Sequence, residues 1–277
     1  MKLVVTGAAG GLGRAFLDVV PGHHDVVPLT RAELDVGDHH AVMQTIVPLR
    51  ADAVLSFGAF TKVDACETET ERAYRDNGLG PQNLAFAARA SGAVLFHVST
   101  DYVFDGEKGS AYDELDAPNP ISAYGRSKLA GEERVRGVLP ELFVVRTGYV
   151  YGGGTDYLTS CLRRLADADE AGGFEDRVGT PTYVRHLAER VLPLLLSMRF
   201  GTYHLGGPEA ASWFEVLGRA KALGDLPGSV APQRADEMGL PARRPRDSAL
   251  ASLYAAEVGV PPMPPLEDAL RDLLARL

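Results

Sequence analysis

Cysteine is scarce in this chain: there are two, Cys66 and Cys161, far apart and in no motif. That excludes a disulfide scaffold and a cysteine zinc site, and reads as reduced thiols of a cytoplasmic protein. No apolar run approaches the ~18 residues of a membrane span. The longest, "VLPLLLSM", is flanked by Arg190 and Arg199. The apolar start within "MKLVVTGAAGG" is too short for a secretory signal. Basic blocks are missing as well. With a net charge of −9 the chain offers no stripe for nucleic acid. An anionic small molecule stays open, because it needs only local Arg and backbone N–H groups. Repeats and low-complexity segments are absent. What is there is 45% hydrophobic residues over 277 positions, enough for a large core.

Short apolar runs alternate with helical patterns through the first half. Strands are expected at 2–7, 24–30, 51–59, 93–100 and 142–152, and helices at 11–20, 37–49, 69–92 and 122–138. The helix at 69–92 contains Gly78 to Pro81, a place for a kink, and Gly92 reads as its C-cap. This alternation predicts an α/β fold, a doubly wound parallel sheet with helices on both faces. The second half is less regular. Helices are expected at 157–172, 185–200 and 212–224, a strand at 201–207, and a terminal helix with Leu266, Leu270, Leu273 and Leu277 on one face. We expect a first domain over 1–150, rejoined by 184–206, and a smaller C-terminal substrate-binding region over 151–183 and 207–277.

The stretch "TGAAGGLG" places Gly7, Gly10 and Gly13 between a predicted strand and a predicted helix. Glycine permits the tight turn and close backbone approach, and the helix N-terminus attracts a pyrophosphate. A dinucleotide site of Rossmann type follows. At the end of the second strand, Thr30 and Arg31 stand where an acidic residue selects NAD. We therefore expect NADPH, with NADH also serving. Asp35 is placed to meet the adenine amine, and Val36 and Ser99 complete the expected cofactor surface.

Tyr124 and Lys128 share one helix face at four-residue spacing, and no other Tyr of the chain has a Lys there. A phenol with pKa ~10 is a poor acid at neutral pH. A nearby ammonium favours the phenolate and eases proton transfer. Ser122, Ala123 and Gly125 around them are small, leaving room for a ligand. The strand before that helix ends in Ser99, Thr100, Asp101 and Tyr102. Ligands of parallel sheets bind beyond the carboxyl ends of the strands. The Thr100 hydroxyl is thus placed for a substrate carbonyl or the Tyr124 phenol.

Together with "STDYVFDG", "NPISAYGRSKLAGE", "VVRTGYVYG", "TKVDACETE", "GTPTYV", "GTYHLGG" and "RRPRDSAL", these features resemble the extended short-chain dehydrogenase/reductase superfamily. Within it the chain is similar to the dTDP-4-dehydrorhamnose reductase family. The resemblance implies Tyr124 as proton donor, Lys128 as its tuner and ribose ligand, and Thr100 as third catalytic residue. It implies Gly10, Gly11 and Leu12 around a pyrophosphate, Gly58, Ala59 and Thr61 along the cofactor, and Asn77 behind the active-site helix. Asp101, Tyr102 and Tyr149 are expected at the sugar, and Arg244 at the nucleotide diphosphate. The partner implied is a dTDP-linked 4-keto sugar, and a homodimer is allowed, though the family's magnesium-linked dimer is not readable in the sequence; the residues themselves point to no nucleic acid, membrane or metal ligand. The chain departs from the family at Ser56-Phe57-Gly58, where Asn-Ala-Ala is usual, and at Arg177, where Gln is common. It also lacks the Trp usual near Tyr149.

Two other readings stand beside this one. A nucleotide-sugar dehydratase or epimerase shares the superfamily, but the dehydratases resemble a Thr-Asp-Glu pattern, and Tyr102 supplies no carboxylate. Tightly retained NAD would mark an epimerase. A non-catalytic, cofactor-binding regulatory subunit is the third reading, because the methionine adenosyltransferase beta subunit resembles the same family. The intact Thr100, Tyr124 and Lys128 favour an enzyme.

Overall fold

The computed structural model describes residues 1–277. Six parallel strands form the central sheet: β1 (Lys2–Thr6), β2 (Asp25–Leu29), β3 (Ala53–Ser56), β4 (Val94–Thr100), β5 (Leu142–Thr147) and β6 (Gly201–His204). Their order is β6-β5-β4-β3-β1-β2. From β1 the chain steps outward to β2, then returns to the other side of β1 with β3. Loops leaving β1 and β3 therefore diverge, which opens a crevice at their carboxyl ends.

Helices cover both faces, so the inner strands read as unbroken apolar runs. On one face Leu3, Val5, Phe96 and Phe143 pack against Phe16 and against Leu187, Val191 and Leu194 of the helix Val184–Ser197. On the other, Val4, Val54, Leu95 and Val144 meet Val42, Ile46, Leu84 and Ala88. A separate core joins the helices Tyr157–Ala166, Trp213–Gly224 and Leu266–Leu274 through Leu158, Leu162, Leu217, Leu270 and Leu273. No helix is long and apolar enough to cross a membrane.

Four elements differ from the sequence expectation. The run 142–152 is two strands, not one. Tyr149 takes φ +48 and breaks it, so that Val150–Tyr151 pairs with Thr182–Tyr183 instead. The helix at 69–92 is interrupted earlier than its glycines indicate, by a π-helical turn over Arg75–Leu79. Pro81 has no N–H to return to the Asn77 carbonyl, which loosens that turn. The helix at 37–49 ends at Ile46 and tightens into a 3-10 turn, Val47–Leu49. The helix at 157–172 ends at Ala166, past which Ala168 turns at φ +63. Residues Glu170–Phe174 then form a strand parallel to Ser229–Gln233. That pairing is long-range, and neither segment has a strand-like composition.

Candidate active site

The crevice is a cleft of about 740 Å³ over the carboxyl ends of the central strands. Its floor is set by two glycines. Gly7 turns the chain at φ +73, and a Cβ there would lie 2.6 Å from the Cα of Gly58. The ends of β1 and β3 thus touch through backbone alone. Gly10, Gly11 and Leu12 line the cleft at the start of the helix Gly11–Val19. The unbonded N–H groups of that first turn and the helix dipole favour an anion. Gly13 does not line the cleft. It lies behind the loop, where a Cβ would come 2.7 Å from the Ala8 Cα, so its role is to seat the helix on the turn. Arg14 ties the loop to a second one, donating to the carbonyls of Ala9 and Gly153 at 2.5 Å each.

At the far end of the cleft stand Arg31, Asp35 and Val36. The Arg31 guanidinium pairs with Asp76 at 3.1 Å, yet its side chain is 62% exposed. Asp35 pairs with Arg75, which holds its carboxyl below the usual range, and it also accepts from the Gly37 N–H. Thr30 is not in the cleft. Its N–H and hydroxyl both donate to Glu33, at 2.8 Å, and close the turn after β2. Gly58, Ala59 and Thr61 line the cleft after β3.

The helix Ala123–Arg136 brings the tyrosine and lysine to the cleft. Ser122 caps it, accepting from the Gly125 N–H at 3.1 Å. Gly125 leaves room for the Tyr102 backbone, not for a ligand: a Cβ there would collide with the Tyr102 carbonyl oxygen. The close approach sets the Tyr124 and Tyr102 rings edge to face, centroids 5.8 Å apart. Behind the helix, Asn77 exchanges hydrogen bonds with the backbone of Phe60 and donates to Ser127 at 3.0 Å. Ser127 in turn donates to the Tyr124 carbonyl at 2.7 Å. The π-helical turn is what aims Asn77 inward.

Burial pushes the Tyr124 phenol above its ordinary pKa, and hydrogen bonding to Thr100 opposes it. The Lys128 ammonium is 2% exposed and donates to the Val98 carbonyl at 2.7 Å. Burial lowers its pKa to about 8, against the pull of Glu132 one turn on. Glu132 is fully buried, and accepts from Ser99 at 2.5 Å and from Arg146 at 2.8 Å. Ser99 lines the cleft with its hydroxyl engaged from behind. The arrangement offers a buried phenol acid, a cation of low pKa and a hydroxyl beside them, the parts of a proton-transfer site.

Asp101, Tyr102 and Tyr149 line the same cleft. Arg244 does not. It pairs with Asp64 at 2.7 and 3.1 Å. The residue that sequence reasoning missed is Trp213. It stacks flat on Tyr149, centroids 4.8 Å apart at 7°, and lines the cleft with Tyr157. The indole absent from the sequence around Tyr149 arrives from the helix Trp213–Gly224. Its signal was the chain's single Trp, placed at the start of a helix with the capping box Ser212–Glu215.

The family model described as RmlD substrate binding domain matches residues 1–277. The dTDP-4-dehydrorhamnose reductase of Mycolicibacterium smegmatis is 37% identical over 99% of this chain and 85% of its own length. That of Mycobacterium tuberculosis is 38% identical over 99% and 92%. The crystal structure of the dTDP-4-dehydrorhamnose reductase of Bacillus anthracis in complex with NADP superposes with a TM-score of 0.96. It is 32% identical and covers 100% of this chain and 99% of that one. In its glycine loop, its Tyr124 helix and the full length of its fold, the chain belongs to the dTDP-4-dehydrorhamnose reductase family.

Proposed function

We propose that the protein reduces the C4 keto group of dTDP-4-dehydro-L-rhamnose to give dTDP-L-rhamnose, with NADPH as the preferred cofactor. The observation that carries this reading is the convergence of Thr100, Tyr124 and Lys128 with the glycine loop on one cleft. The cofactor fit rests on the turn at Gly7, Gly10 and Gly11, which lines the cleft and where a Cβ would press on the backbone of Gly58, Gly7 or Gly153. Gly10, Gly11 and Leu12 would hold the pyrophosphate, and the exposed Arg31 a 2′-phosphate. Gly58, Ala59 and Thr61 would line the ring systems, and Lys128 would meet ribose hydroxyls. When bound, the dihydronicotinamide supplies a hydride.

Tyr124 gives its phenol proton to the oxygen that gains charge as the keto carbon is reduced. Its high pKa keeps it protonated until that moment. Lys128, buried one helical turn on, would support the phenolate in a dry site, where an ammonium is worth far more than in water. Asp101 and the stacked pair Tyr149 and Trp213 would orient the sugar, the ring faces excluding water from it. Thr30, Gly13 and Arg244 take no direct part. The same reading places the enzyme in the cytoplasm, in keeping with its free, buried cysteines Cys66 and Cys161.

The test is incubation with dTDP-4-dehydro-L-rhamnose and either NADPH or NADH, with product identified by NMR. Stoichiometric cofactor oxidation and a single 6-deoxy sugar nucleotide are expected. Interconversion without net oxidation would mark an epimerase. Cofactor binding without turnover of any 4-keto sugar nucleotide would mark a regulatory subunit.

A further inference from the structure

The stretch Arg244 to Leu250 enters the active site through its serine rather than its arginine. Ser248 is 1% exposed and donates to Asp101 Oδ2 at 2.5 Å. Its backbone is fixed on both sides. The Ser248 N–H donates to the Val178 carbonyl at 2.9 Å, and the Tyr112 N–H to the Ala249 carbonyl at 2.7 Å. The other oxygen of Asp101 accepts from the Thr100 hydroxyl at 3.0 Å. Gly148 lies against the same carboxyl, where a Cβ would be 2.5 Å from Asp101 Cγ. Segments far apart in the chain thus clamp one buried side chain.

A threonine hydroxyl has one proton. Once it is given to Asp101, the Thr100 oxygen can only accept, and it already takes the Tyr102 N–H at 3.2 Å. Thr100 is also the hydrogen-bonding neighbour of the Tyr124 phenol. We propose that Ser248 is a positioning residue of the reduction: by holding the Asp101 carboxylate, it fixes the direction of the Thr100 hydroxyl and so the alignment of the Tyr124 O–H. This rests on the reductase reading above. The productive form is ionised Asp101. A protonated carboxyl would release the Thr100 hydroxyl to turn.

The pH dependence follows from the surroundings of Asp101. The groups that hydrogen-bond it are Ser248, Thr100 and the backbone of residues 101 and 102, and no cation is among them. Tyr102, Tyr124 and Tyr149 face it from three elements, while Arg177 and Arg244 act on the tyrosines. Burial brings the carboxyl up to about 6, and the Ser248 hydroxyl pulls it down. Removing a donor to the charged form raises a carboxyl pKa.

The experiment compares wild type, Ser248→Ala and Tyr124→Phe. It reads kcat/KM against pH, NADPH affinity, and the ¹³C carboxyl titration of Asp101. In Ser248→Ala the acid limb and the Asp101 titration are expected to move up by about one pH unit. At pH 6 kcat/KM falls ~5-fold, approaching ~10-fold at lower pH, and recovers at pH 8, with NADPH affinity unchanged. If Ser248→Ala does not fold, Ser248→Cys, a weak donor of similar size, is expected to show the same displacement. An acid limb and titration identical to wild type, with Tyr124→Phe inactive, would overturn the role of Ser248 alone. A wild type inactive on every 4-keto sugar nucleotide would overturn the reductase reading, and the carboxyl titration would tell the two failures apart.

Discussion

Gly125 lies against the carbonyl oxygen of Tyr102, in space that the Cβ of any other residue would share with that oxygen. This contact, with the edge-to-face pair Tyr102 and Tyr124, seats the helix carrying Tyr124 and Lys128 on the turn that follows Thr100. Gly125→Ala should push the helix outward and move the phenol. We expect a stability loss of about 1–3 kcal/mol by calorimetry. The fall in kcat should be at least ~10-fold, since small misplacements of reacting groups are expensive. Wild-type kcat in a stable variant would show that the helix position is set elsewhere.

Gly7 and Gly58 face each other but are not equivalent. At Gly7, φ is +73 and a Cβ would overlap the Gly58 backbone, whereas at Gly58 the nearest atom would be 3.5 Å away. Gly7→Ala should abolish NADPH binding in a fluorescence titration. Gly58→Ala should leave the dissociation constant within about threefold. Equal effects would contradict the asymmetric contact.

Lys128 gives the alkaline limit. Its folded pKa is lowered to about 8. The protonated fraction falls as pH rises through 8, so kcat/KM of the free enzyme should fall with it. For stability the sign is the reverse. The unfolded lysine binds its proton up to ~10.4, so between these values the unfolded chain holds more protons and stability rises with pH. Lys128→Met should remove both effects, as read by steady-state kinetics and denaturant titration across pH 7–10.

Trp213 is the chain's only tryptophan and stacks on Tyr149 in the cleft. Its fluorescence should therefore change when a dTDP-sugar binds. Trp213→Ala removes an aromatic pair worth about 0.5–1.5 kcal/mol beyond its area. KM for the sugar nucleotide should rise ~10-fold while NADPH affinity is kept. An unaltered KM would place the sugar elsewhere.

The sheet was readable because strands buried on both faces are continuous apolar runs, and β1, β3, β4 and β5 have that form. The glycine loop and the Tyr124 helix were readable because turn and helical spacing are local. What stayed hidden is long-range or conformational. Tyr149 sits in "RTGYVYG", which has the composition of one strand; its positive φ does not show in residue type. Trp213 reaches the cleft from a remote segment whose own pattern points only to a helix cap, and Ser248 reaches Asp101 from the motif "RRPRDSAL", which does not show that contact. Thr30 was placed by position and Arg244 by resemblance, but carboxylates, Glu33 and the remote Asp64, engage them. Gly125 was noted as small for the right region and the wrong reason.

The central claim is that Tyr124 supplies the proton in reduction of a dTDP-4-keto sugar. NADPH oxidation with dTDP-4-dehydro-L-rhamnose, in wild type and Tyr124→Phe, tests it most directly. The phenylalanine variant keeps the ring and should keep NADPH affinity, while kcat falls by about 10²–10⁴. Turnover by Tyr124→Phe at the wild-type rate would contradict the account.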